Sequence, residues 1–204
     1  MSRIMVEICC ENLVDAMAAQ AARADRLELA QALELGGLTP SPGLALVVGA
    51  RVPIPFVAMV RPRGGDFVYQ DAEVSVMERD AGLLLEAGAA GIVFGCLTSE
   101  GRLDERACAR LIAAADDADV VFHRAFDRLK DPFDALETLI DLGVNRVLTS
   151  GGARTALEGA DRIRMLVERA AGRIEILPGG GIREENVEQL VRRTHCTQVH
   201  LSRR

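Results

Sequence analysis

Short apolar runs alternate with longer amphipathic stretches along the whole chain. The runs Ile4–Cys9, Arg26–Leu29, Ile54–Val60, Gly91–Cys96, Val120–His123, Arg146–Leu148, Ile174–Leu177 and Gln198–Ser202 predict eight strands. Between them, Asn12–Arg23, Leu44–Ala50, Ala72–Ala87, Asp104–Ala115, Pro132–Leu142, Leu157–Ala170 and Asn186–Arg193 predict seven helices. Local start and stop signals agree. Ser41-Pro42 and Asp131-Pro132 put a capping side chain before a proline suited to the first helical position. Thr155 and Glu158 have capping-box spacing, and Gly88 and Gly143 sit where helix C-terminal glycines belong.

Eight strands alternating with helices predict a parallel α/β fold, and the count of eight favours a closed (β/α)8 TIM barrel forming one domain over residues 1–204. An open doubly wound sheet would call for a glycine-rich turn after the first strand, where this chain has CCENL. The sequence ends at LSRR, directly after the eighth strand, so the closing C-terminal helix is absent from it. That leaves an apolar edge to cover and predicts a homo-oligomer, a dimer or tetramer.

A barrel of this kind carries its site at the C-terminal strand ends. Here those ends hold Glu7 and Cys9, Glu28, Arg61 and Arg63, Cys96, His123 and Arg124, Thr149 and Ser150, a PGGG turn, and His200. Buried charges need partners, so the cluster reads as a ligand site or as an ion-pair lattice of Glu7 and Glu28 with Arg61 and Arg63. Alternate strand residues share a face, which sends Arg61 and Arg63 the same way and Arg124 away from His123. An anion-binding set follows: Arg61, Arg63 and Asp66 in RPRGGDF, Arg124 and Asp127 in HRAFD, Ser150 and Gly151 in SGG, and Gly179, Gly180 and Gly181 in PGGG. Were the protein an enzyme, His123 with Glu7 or Glu28 would move protons on a small anionic, phosphorylated metabolite. A non-catalytic sensor built on the same pocket is a further reading.

Composition narrows the partners. The 204 residues carry a net charge of −6 and only 3% aromatics, which argues against a nucleic-acid or anionic-membrane partner. Arg3, Glu7 and Glu11 interrupt any N-terminal apolar run, and Arg51 and two prolines break the stretch from Leu44 to Val60, so neither signal peptide nor membrane span is expected. Cys9, Cys10, Cys96, Cys108 and Cys196 form no CxxC pair and suit the reduced thiols of a cytoplasmic protein.

VEICCEN, ADRLEL, GGLTPSPG, RPRGGDF, FHRAFD, RVLTSGG, ALEG and LPGGGI occur here in the order found in the CutC family of copper homeostasis proteins, which the chain resembles from about residue 4 to residue 200. The resemblance implies a cytoplasmic, usually oligomeric (β/α)8 barrel that handles copper. It also implies Cu(I) ligation by cysteines at the ends of strands one and two. The first corresponds to Cys9; the second position is Ala30, in LELA where relatives carry LELC or IELC. A mixed site of Cys9 with His123 or His200 is then the expectation. The family continues beyond residue 200 with a segment this sequence lacks. Two guanidiniums have no use to a cuprous ion, so a small anionic ligand remains the alternative to copper.

Overall fold

The computed structural model describes residues 3–202. Strands β1 (Met5–Cys10), β2 (Arg26–Leu29), β3 (Phe56–Met59), β4 (Gly91–Phe94), β5 (Asp119–Phe122), β6 (Arg146–Thr149), β7 (Glu175–Pro178) and β8 (Gln198–Ser202) pair in parallel, in the order β7-β6-β5-β4-β3-β2-β1-β8. A bridge between Gly179 and His200 joins the two ends, so the sheet is a nearly closed (β/α)8 barrel. Helices α1 (Leu13–Ala21), α2 (Pro42–Arg51), α3 (Asp71–Glu86), α4 (Glu105–Ala115), α5 (Pro132–Asp141), α6 (Ala160–Ala170) and α7 (Glu184–Thr194) form the outer ring. Every residue of β2, β3, β4 and β6 is buried, as parallel strands covered on both faces require.

The helix starts are built as their sequences dictate. Asn12 and Ser41 accept from the Asp15 and Leu44 N–H groups at 2.9 and 3.2 Å, and Asp131 accepts from those of Phe133 and Asp134 ahead of Pro132. Gly88 and Gly143 end helices with φ of 97° and 85°, in the left-handed region glycine tolerates. Helix α6 begins later than its apolar period predicts. Thr155 and Glu158 exchange their capping contacts, both at 3.3 Å, yet residues 155–159 stay a turn. The Ala156 N–H is committed to the Gly180 carbonyl at 2.9 Å, and Gly159 packs so closely on the Ser150 carbonyl that a Cβ would lie 1.9 Å from its oxygen.

The pleat sorts the core into two compartments. Cys9, Ala30, Val57, Met59, Val93 and Val121 pack together in the lumen. Cys10, Leu27, Leu29, Phe94 and Phe122 belong to the shell between sheet and helices. The neighbouring cysteines therefore face opposite ways, as alternation demands. All five cysteines are buried and free. Among the described residues no helix is long and apolar enough to cross a membrane.

Candidate functional site

The lumen contains a buried polar network. Glu7 on β1 accepts from the Nε–H of Arg26 on β2, and its other oxygen lies 2.8 Å from His200 Nδ1 on β8. Arg26 also donates to Gln198 Oε1 at 3.0 Å. His200 turns its Nε2 toward Glu28, 3.7 Å from Oε2. Burial acts to raise the Glu7 carboxyl, but the hydrogen bond from His200 and the charges of His200 and Arg26 overcome it and hold Glu7 at about 2. Glu28 goes the other way: burial and the neighbouring Glu7 charge raise it against the pull of His200. His200 is itself raised, because Glu28 and Glu7 outweigh the burial that opposes its charge. An ion-pair lattice thus exists, and its cation is Arg26, not Arg61 or Arg63. Arg26 shares a strand face with Glu28, and that alternation was the available signal. Glu7 is 2% exposed and spends both oxygens on Arg26 and His200, so it is a structural anion and not an accessible acid or base.

Above this network, the ligand atoms of Cys9, Glu28 and His200 lie within 4.8 Å of one another. Glu28 Oε1 is buried without a hydrogen-bond partner. Burial and the Glu28 carboxylate push the Cys9 thiol well above its ordinary value. Cys9 therefore meets His200 and Glu28, while His123 stays outside the group. Ala30 packs with Cys9 in the same luminal cluster.

His123 follows β5 as the cap of a short 3-10 turn over Arg124–Arg128, accepting the Ala125 N–H on Nδ1 at 3.1 Å. Its ring packs on Phe67, with centroids 4.9 Å apart, and its Nε2 has no partner. Burial and the nearby Arg61 charge lower its pKa to about 3, so the ring is neutral at ordinary pH. With Nδ1 accepting, the single ring proton sits on Nε2. That makes His123 a fixed donor, whereas a neutral-pH base or a metal ligand would need a free nitrogen lone pair.

The two arginines of RPRGGDF do not form a pair. Strand β3 stops at Met59, so both lie in the following loop, where alternation no longer governs direction. Arg61 is buried and donates to the Leu35, Gly37 and Gly65 carbonyls at 2.9, 3.1 and 2.9 Å while stacking over Phe67. It ties the GGLTPSPG loop to the Gly64-Gly65 turn. Arg63 turns outward over Tyr69 and spends itself on Glu73, Asp66 and the Val68 carbonyl. It borders neither of the two large cavities at the mouth, although Asp66 borders one of them.

Asp127 organises the SGG turn. Its buried carboxylate accepts from Thr149 Oγ1, the Ser150 and Gly152 N–H groups and Arg124 Nε. Arg124 also donates to Ser150 Oγ at 2.8 Å. Gly151 is buried against Gly159, where a Cβ would lie 2.5 Å from the carbonyl oxygen. Ser150 and Gly151 are thus framework and line no large cavity. Gly179 fits between Leu148 and His200, whereas Gly180 and Gly181 border the cavity itself.

That cavity, of about 500 Å³, opens at the C-terminal mouth and reaches Cys9, Glu28, Met59, His123, Arg124 and His200. Arg154, Thr155 and Arg183 complete its rim, none of them marked by a strand-end position. The expected opposition of His123 and Arg124 fails, because the 3-10 turn after β5 swings Arg124 back over the opening. A second cavity of about 910 Å³, bordered by Arg61 and Asp66, adjoins it through Gly36, Phe67, Arg124 and Arg154.

A model of the CutC family matches residues 4–204. A family protein CutC of Rhizobium meliloti (strain 1021) is 48% identical over 202 residues, covering 99% of this chain and 82% of that protein. The copper homeostasis protein cutC homolog of Homo sapiens is 46% identical over 200 residues, covering 98% and 73%. The crystal structure described as copper homeostasis protein CutC from Streptococcus agalactiae superposes with a TM-score of 0.93 at 36% identity, covering 98% of this chain and 99% of that one.

Proposed function

The chain belongs to the CutC family, and we propose that it handles copper by holding one Cu(I) ion at Cys9 with His200 and Glu28. The observation that carries the reading is the convergence of those three ligand atoms within 4.8 Å at the inner end of an open cavity. Two of the three donors fit the ion in kind. Thiolate and imidazole are ligands Cu(I) accepts, and the harder Glu28 carboxylate, hydrogen-bonded to Cys9, stands where it can receive the thiol proton that must leave when the ion binds. Glu7 supports the set from behind by holding His200 through Nδ1, the carboxylate–histidine arrangement that orients many metal-binding imidazoles. Ala30 leaves one thiol where the family resemblance implies two, and His200 takes over the vacant coordination.

A cytoplasmic location suits five free cysteines, since thiols persist in a reducing compartment. Homo-oligomerisation suits the exposed Val14 and Met17 on α1 and Leu46 and Val47 on α2. A Cu(I) competition titration under reducing conditions tests the metal site. The parent should take up one ion and Cys9→Ser should lose it; equal uptake by both would remove the proposed site.

A further inference from the structure

The metal reading uses the inner end of the cavity and leaves its outer half unexplained. There His123, 4% exposed, borders the cavity and carries a buried Nε2–H without a partner. On the same cavity wall Arg124 has its Nε and one terminal nitrogen engaged by Asp127 and Ser150, while the other lies against Gly180 at the cavity edge. Phe67 and Leu148 line the same cavity, and Leu33 and Met59, which pack with Cys9, border it toward the inner end. An unmade buried donor is costly unless something accepts from it.

We propose that this outer half binds a small carboxylic acid, its carboxylate received by His123 Nε2–H and Arg124 and its carbon body resting on Phe67 and Leu148 and reaching toward Leu33 and Met59. His123 and Arg124 offer one donor for each oxygen of a carboxylate. A phosphate dianion wants more donors and commonly finds them at a helix N-terminus, but the PGGG turn leads into α7, whose first turn carries Glu184 and Glu185, and the rim arginines Arg154 and Arg183 are engaged by Glu158 and by the Ile182 and Ser202 carbonyls. His123 suits this task because Ala125 fixes its tautomer and it never takes a second proton near neutrality. The whole cavity, its inner end included, measures about 500 Å³, so a part of it still accommodates a ligand with a carbon body beyond acetate. This site does not rest on the copper reading.

The test uses metal-free protein with a chelator present throughout, titrated with benzoate, hexanoate and inorganic phosphate by ligand-observed NMR and thermal shift. Benzoate or hexanoate should bind and raise the melting temperature, and phosphate should not. His123→Asn keeps an acceptor for the Ala125 N–H, but its shorter amide cannot place a donor where Nε2–H stands, and it should weaken carboxylate binding by about tenfold or more. Arg124→Met should do the same and decides the matter if His123→Asn does not fold. Absence of carboxylate binding, binding of phosphate alone, or undiminished binding in both variants would overturn the proposal. With metal excluded, none of these outcomes depends on whether copper binds.

Discussion

Replacing His123 by asparagine should change how the protein responds to acid. In the folded chain the His123 pKa lies at about 3, held down by burial and by the Arg61 charge. In the unfolded chain it returns to its ordinary 6.5. Below that value the unfolded ring takes up a proton that the folded ring refuses, so stability falls with pH through the window from about 6.5 down to about 3. Between pH 7 and pH 5 the linkage amounts to about 2 kcal/mol. For a chain of this length that corresponds to roughly 4–8 °C in melting temperature. The groups packed on the ring add no competing titration: Phe67 and Phe122 are aromatic, and Gly95 and Ala125 are apolar. Asparagine at position 123 retains the cap but has nothing to titrate. Thermal melts of parent and variant from pH 7 to pH 5 should therefore diverge, the parent losing about 2 kcal/mol more. Glu7, Glu28 and His200 titrate in both proteins and cancel in the difference. Parallel curves would show that His123 accepts a proton in the folded state, and the fixed-donor assignment would fall with them.

Other perturbations separate framework from site. Ala30→Cys places a second thiol in the luminal cluster with Cys9 and should raise Cu(I) affinity in a competition titration; unchanged affinity would count against Cys9 as the anchor. Arg61→Met frees three carbonyls now held by one guanidinium and should cost on the order of 3 kcal/mol, read by denaturant unfolding, with proteolysis mapping to the loop around Leu35. Arg63→Ala, by contrast, removes half-exposed ion pairs and should cost about 1 kcal/mol or less. Gly95→Ala would place a Cβ 2.5 Å from the His123 ring and should cost roughly 1–3 kcal/mol while displacing the Nε2 donor, visible as weakened benzoate binding.

The sequence by itself determined the barrel. Eight apolar runs, the intervening amphipathic stretches and the caps at Ser41, Asp131, Gly88 and Gly143 are local signals, set by hydrogen-bond and backbone demands that each segment carries within itself. The opposite facing of Cys9 and Cys10 and the luminal side of Glu7, Cys9 and His200 follow from the pleat in the same way. What only the tertiary structure decided begins where the strands stop. Arg61, Arg63 and Arg124 lie beyond β3 and β5, where direction is set by carbonyls and carboxylates from other segments, and of the three only Arg124 lines the cavity that reaches His123 and Cys9. The neutrality of His123 and the opposite shifts of Glu7 and Glu28 are likewise tertiary. Identical side-chain chemistry answers to whichever charges and how little water the closed barrel brings within a few ångströms of it.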